Sequence, residues 1–339
     1  MIEWHQFSSV ALKGFPVGDP HERRFPVYLP PNYSATRSEP YPVVFLLSGW
    51  GAKSSHYLAE DSAFDLPLQT RWDQSIASGK LKPFIAVFPD GTSKLGCGQY
   101  VNSTAIGNHQ DYLCDELVDW VDGKFHTHRD SNFRIVAGHS SGGFGALVAG
   151  MMRPDVFKFV CCSAGDSFYE VSLLPNLSKA IIEIEKAGGL EGFLKKFRAE
   201  PSSRNIAIGQ IETMLTLNMC ACYAPNPRKP PLYADLFFDL STGEVVKEVW
   251  DRILAWDPLR MIDRYAEGLK SLKWVQLECG LQDQHGLQLG HRQLSRAFHA
   301  RGIPHELVEY PGSHSGHHWR FADRLIRIFE RMYGSGSPS

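Results

Sequence analysis

Short apolar runs of strand length, rich in Val, Ile or Phe, recur along the chain at residues 42–47, 84–88, 133–137, 157–162, 274–278 and 306–310. Between several of them lie stretches with helical spacing of apolar positions, at 112–125, 142–152, 291–301 and 319–332. Strands that alternate with helices in this way predict an α/β fold, a mostly parallel central sheet flanked by helices on both faces. Residues 7–12 and 24–29 add candidate antiparallel strands at one edge.

The alternation stops after about Phe168 and resumes near Arg260. No strand-like run appears in between. Helical patterns at 177–186, 190–199 and 214–223 lead into the Pro-rich turn Ala224-Pro225-Asn226-Pro227-Arg228-Lys229-Pro230-Pro231. The expected organisation is therefore a catalytic core in two parts, residues 1–167 and 261–333, interrupted by an inserted helical cap at 168–260. Gly334-Ser335-Gly336-Ser337-Pro338-Ser339 reads as a flexible tail. A cap over a cleft is a natural place for substrate contacts, and a helical annex that completes the core is the alternative. Phe168, Tyr223, Tyr233, Phe237 and Phe238 are its candidate pocket or packing aromatics.

Composition narrows the function classes. The chain has 339 residues, 43% of them hydrophobic and 21% charged, which argues for a folded globular protein rather than a disordered one. Lys+Arg of 35 against Asp+Glu of 37, with no like-charge run, offers no footprint for nucleic acid or a membrane surface. Seven cysteines are too few for a disulfide scaffold, and their odd number leaves one unpaired. With no signal-peptide pattern in Met1-Ile2-Glu3-Trp4-His5-Gln6, a cytoplasmic setting is expected.

The sharpest chemical signal is Gly138-His139-Ser140-Ser141-Gly142-Gly143, placed between a strand and a helical run. A turn this tight forces its apex residue into a strained conformation, and small residues two places either side avoid a clash. The apex serine, Ser140, then projects above the sheet at a helix N-terminus. The Ser141 amide there can stabilise an oxyanion formed when the Ser140 hydroxyl attacks a carbonyl.

A serine is a weak nucleophile, so it needs a histidine within hydrogen-bond reach and a carboxylate to orient that histidine. Asp283 follows the strand at 274–278, and His314 follows the strand at 306–310 and a Pro-Gly turn. Both loops belong on the same rim as Ser140. Rivals are Glu278 and Asp257 for the acid and His317 and His318 for the base. The loop Ser48-Gly49-Trp50-Gly51 after the first core strand is the candidate source of a second oxyanion donor, the Trp50 N–H. Gly49, Gly51, His139, His318 and Trp319 are candidate substrate-contacting residues. No His-Glu-x-x-His occurs, and Cys220-Ala221-Cys222 has no second pair at zinc spacing, so neither metal nor cofactor is expected.

These residues resemble the esterase D-like branch of the α/β-hydrolases, which includes feruloyl and acetylxylan esterases, S-formylglutathione hydrolases, enterochelin esterases and antigen 85-type mycolyltransferases. The likeness rests on Arg24-Phe25-Pro26-Val27-Tyr28-Leu29-Pro30-Pro31-Asn32-Tyr33, Leu46-Leu47-Ser48-Gly49, Phe88-Pro89-Asp90-Gly91, Tyr100-Val101-Asn102-Ser103, the Ser140 motif, Cys279-Gly280 with Asp283, and Pro311-Gly312 with His314 and Trp319. It implies an α/β-hydrolase fold with Ser140 as nucleophile, Asp283 as acid, His314 as base and the Trp50 and Ser141 amides as the oxyanion hole. Many relatives carry His-Gly at Ser48-Gly49, and the formylglutathione hydrolases carry Met where this chain has Ser141.

The expected function is a serine carboxylic-ester hydrolase acting on a small-molecule ester, short-chain or aromatic of the feruloyl type. Alternatives are an acyltransferase using the same triad and a non-catalytic binding protein on the same fold. Oligomeric state is open.

Overall fold

The computed structural model describes residues 1–58, 66–199 and 208–334. Its centre is an eight-stranded sheet formed by β1 (Ile2–Ser8), β2 (Glu22–Tyr28), β3 (Val43–Leu47), β4 (Ile85–Val87), β5 (Arg134–His139), β6 (Phe159–Ser163), β7 (Trp274–Gly280) and β8 (His305–Tyr310). The spatial order is β1-β2-β4-β3-β5-β6-β7-β8. β1, β2 and β4 pair antiparallel, and every pairing from β4 to β8 is parallel. This is the α/β-hydrolase fold.

The six core strands fall where the apolar runs place them. The edge strands are also antiparallel as expected, but the first lies at Ile2–Ser8 instead of residues 7–12. Glu116 explains the shift. Its carboxylate accepts the Val10 and Ala11 N–H groups and the Ser9 hydroxyl, which turns the chain away from the sheet before Gly14.

Helices α1 (Leu68–Ala77), α2 (Val118–Lys124), α3 (Ser141–Met152), α4 (Leu177–Lys186), α5 (Leu190–Ala199), α6 (Ile208–Tyr223), α7 (Lys247–Leu254), α8 (Leu287–Ala300) and α9 (Arg320–Tyr333) surround the sheet. The patterned stretch at 112–125 is not one α-helix, because a wider turn over Tyr112–Leu117 precedes α2.

Successive strand residues face opposite sides of a sheet, and the two cores follow that rule. Val44, Leu46, Ile135 and Ala137 pack with Trp72 of α1 and Phe321, Leu325, Ile328 and Phe329 of α9. Val43, Phe45, Leu47, Val136 and Val160 pack with Phe144, Leu147 and Val148 of α3.

The second of these cores continues without a break into the segment after Phe168. Met214, Leu217 and Ala221 of α6, with Ala180 and Ile184 of α4, belong to the same apolar cluster. Among the described residues no strand of the sheet comes from that segment, and its described extended contacts are the bridges Pro225–Ala234 and Phe238–Val245. Asp257 fastens the segment's end to its beginning. Its fully buried carboxylate accepts the Phe168, Tyr169 and Leu259 N–H groups, each at 3.0 Å. The expected flexible tail falls at 334–339, of which 335–339 lie outside the described residues.

Candidate active site

Ser140 closes the tight turn between β5 and α3 with φ 58° and ψ −125°, a left-handed conformation rare for a residue with a side chain. Glycine at 142 is what lets the turn close. A Cβ there would stand 2.1 Å from the Leu47 carbonyl oxygen, so the end of β3 packs backbone to backbone against the elbow. The Ser140 N–H donates to the Ser163 carbonyl at 2.9 Å, and the Ser140 carbonyl accepts from the Phe144 N–H, which starts α3.

The other two candidate residues arrive on neighbouring strand ends. The β7 loop and the β8 loop touch through Gly280, where a Cβ would stand 2.4 Å from the Gly312 carbonyl oxygen. Gln282 reinforces the contact, its side-chain oxygen accepting the Gly312 N–H at 2.7 Å and its own N–H donating to the Gly312 carbonyl. As a result His314 Nδ1 lies 2.8 Å from Asp283 Oδ2, and His314 Nε2 lies 3.0 Å from Ser140 Oγ. With Nδ1–H donating to the carboxylate, Nε2 is left as the acceptor facing the serine.

Burial works to raise the Asp283 carboxyl, but the hydrogen bond and charge of His314, with the His285 N–H at 2.9 Å, outweigh it and hold the group below the usual carboxylate range. His139 contributes from behind. Its Nε2–H donates to the His314 carbonyl at 2.6 Å, and burial followed by the nearby His314 and His318 holds its pKa well below the ordinary histidine value. A neutral His139 in this tautomer tethers the loop that carries His314.

The rivals have other occupations. Glu278 is buried inside β7 and ion-paired to both Arg320 and Arg324 of α9. Asp257 caps backbone N–H groups in the inserted segment, as described. The His317 ring packs edge-on against Tyr310, with centroids 4.9 Å apart. His318 Nε2 lies 2.8 Å from His56 Nε2, and burial, then His56, pushes its pKa down to about 4.

Around the serine, Gly49 approaches so closely that a Cβ would stand 3.3 Å from the Ser140 Cβ. Gly51 follows with φ 72°. The Trp50 indole N–H donates to the Leu95 carbonyl at 3.1 Å, which turns the ring away towards the 92–97 hairpin. The backbone amides of Trp50 and Ser141 donate to no described residue. Trp319 sits 38% exposed at the start of α9. Of the candidate aromatics, Phe237 packs on Phe238 and Trp250 inside the insert, whereas the Tyr223 ring stacks between Tyr169 and Trp256.

Sequence reasoning missed His285, whose ring meets that of His314 edge-on with centroids 4.8 Å apart, and Asp166, on the loop after β6. A signal for Asp166 existed in its place three residues beyond a core strand end. Among the described residues no group of three or more His, Cys, Asp or Glu is placed to hold a metal ion, and no helix is long and apolar enough to cross a membrane.

Residues 20–332 match the model of the Esterase family. The chain is 32% identical over 146 residues, 42% of its length, to an endo-1,4-beta-xylanase/feruloyl esterase of Xylanibacter ruminicola, and 35% identical over 125 residues, 36% of its length, to esterase Rv1288 of Mycobacterium tuberculosis. The alignments span 19% and 24% of those longer proteins. Among solved structures, a ferulic acid esterase superposes with a TM-score of 0.61 at 15% identity, covering 98% of this chain and 97% of its own. An S-formylglutathione hydrolase from Agrobacterium tumefaciens gives 0.56 at 17%, covering 99% and 96%.

Proposed function

The chain belongs to the Esterase family, an esterase by that membership, and on this premise we propose that it hydrolyses carboxylic esters through an acyl-enzyme formed on Ser140. The observation that carries the reading is the continuous hydrogen-bonded line from Asp283 through His314 to Ser140, at 2.8 and 3.0 Å.

His314 Nε2 takes the Ser140 proton as Oγ attacks the ester carbonyl. The negative charge that develops on the carbonyl oxygen falls to the Trp50 and Ser141 amides, the second of them at the N-terminus of α3. Collapse of the tetrahedral intermediate breaks the bond to the alcohol, which leaves with the proton held on His314. Water then enters, gives a proton to the same nitrogen and releases the acid, and Ser140 recovers its hydrogen. Asp283 keeps the imidazole in the required tautomer and stabilises its cationic form throughout.

The substrates we propose are short-chain or aromatic esters of the feruloyl type. The feruloyl esterase among the curated relatives supports the aromatic class. That segment, residues 168–260, is the proposed cap that shapes specificity.

The test compares wild type with Ser140→Ala on p-nitrophenyl butyrate and methyl ferulate, alongside labelling by a fluorophosphonate. Loss of a triad nucleophile removes several orders of magnitude of rate, so the variant is expected to fall at least 10⁴-fold, roughly, and to lose the label. Turnover within about tenfold of wild type in a folded variant refutes the assignment.

A further inference from the structure

The segments that follow β3, β5 and β8 meet at Ser140, and one ring outside the proposed triad borders all three. His318 lies in the segment after β8, at the approach to α9, where its carbonyl accepts the Phe321 N–H at 3.0 Å. Its backbone is a fixed post, because Arg320 and Arg324 of α9 pair with the buried Glu278 of β7.

From that post the imidazole reaches in two directions. Towards the elbow it meets the His139 ring edge-on, with centroids 5.6 Å apart, and His139 is the residue whose Nε2–H holds the His314 carbonyl. Towards the segment after β3 it meets Tyr57 edge-on at 5.0 Å and His56 at 4.6 Å, and the His56 and His318 Nε2 atoms stand 2.8 Å apart. His56 and Tyr57 belong to the helical turn Ser54–Leu58, which continues the Ser48-Gly49-Trp50-Gly51 loop. That loop is closed on itself, the Ala52 N–H donating to the Gly49 carbonyl at 3.2 Å. The Tyr57 hydroxyl donates to the Leu47 carbonyl at 2.9 Å, the same carbonyl that a Cβ on Gly142 would strike. The loop is therefore tied back to β3 through Tyr57 and across to the start of α9 through His56. A bond between two Nε2 atoms needs one ring to donate and the other to accept, so at least one ring must be neutral. Burial, then His56, holds the His318 pKa down to about 4, and His318 is that neutral partner at pH 7.

We propose that His318, through His56, is a positioning residue that sets the Ser48–Gly51 loop against the loop of His314, so that the Trp50 amide and His314 Nε2 reach one tetrahedral centre together. The inference rests on the proposed hydrolysis at Ser140 and deepens it. The Trp50 amide acts on charge that develops in the transition state, so loosening the tie lowers kcat and spares KM.

The experiment is a double-mutant cycle followed with p-nitrophenyl butyrate. His56 is exposed, so His56→Ala removes the partner without opening the core, and His318→Phe keeps a ring in place while losing the bond. Each change is expected to lower kcat about tenfold, with KM within about twofold and the melting temperature within a few degrees. The double variant is expected to match the single ones, because the second change finds no bond left to break. Losses that multiply, or a kcat unchanged in either single variant, overturn the proposal. Hydrogen exchange over residues 48–58 supplies a readout free of turnover. Both single variants should speed it about tenfold or more while α8 exchanges as in wild type, and unchanged exchange also overturns the proposal. A wild type that neither turns over ester nor takes up a fluorophosphonate refutes hydrolysis at Ser140, and the exchange result then decides the His318 tie by itself.

Discussion

The elbow around Ser140 and the inserted segment after Phe168 are held in contrasting ways. At the elbow, backbone meets backbone across β3, β5 and α3, and a missing Cβ at Gly142 decides the geometry within a few residues of sequence. The insert is positioned by side chains far apart in the chain, with Asp257 grasping Phe168 and Tyr169 across nearly ninety residues. Steric exclusion leaves the elbow one conformation, whereas the insert depends on hydrogen bonds and apolar contacts that can be weakened one at a time. Rigidity at the elbow and adjustability in the insert follow from that difference.

The contrast can be broken most severely at the centre. Asp283→Asn keeps the shape but favours the wrong imidazole tautomer, and kcat is expected to fall by about 10³–10⁴-fold while the melting temperature stays within a few degrees. A loss of less than tenfold removes Asp283 from the proposed triad. Gly142→Ala attacks the packing instead. Backbone cannot yield the way a flexible side chain does, so a destabilisation of about 3 kcal/mol or more by denaturant titration is expected, together with loss of fluorophosphonate labelling. Unchanged stability would refute the steric account of the elbow.

On the insert, Asp257→Ala strips an acceptor from three N–H groups and is expected to cost about 2–3 kcal/mol. Its signature is faster hydrogen exchange in α4 and α6 ahead of β5 and β6. Uniform loss of protection would show that the insert and the sheet open as one unit. The smallest effect is an acid transition. Burial works to raise the Asp235 carboxyl, but Lys229, Asn226 and Arg252 outweigh it and hold it down to about 2. A depressed carboxylate pKa stabilises the fold fully above the unfolded value of about 3.9, and that contribution disappears as the pH falls towards 2. Fluorescence of Trp250 and Trp256 should report a change in this window that Asp235→Asn lacks.

Much of this was legible in the chain. The six core strands and the strand–turn–helix around Ser140 follow from periodicity and glycine spacing, and strand-end logic brings Asp283 and His314 forward with Glu278, Asp257, His317 and His318 as rivals. Glu278 and Asp283 show where such logic thins. They are five residues apart, and only the packing of α9 reveals that Arg320 and Arg324 occupy Glu278. The first edge strand was misplaced because Glu116, more than a hundred residues away, turns the chain at Val10. Gly165-Asp166-Ser167 looks like any polar turn until His291, Asp257 and α8 are seen to lock its backbone.

What depends on neighbours along the chain can be read without the fold: the periods of strands and helices, the tight turn at Ser140 that only small residues permit, and a nearly even balance of charge. Which of the candidate acids meets the imidazole, and which of the candidate histidines faces the serine, waited on the tertiary structure. Those outcomes depend on sheet register and on how the loops after β5, β7 and β8 pack together, and contacts between residues 31 and 174 positions apart leave no local pattern to read.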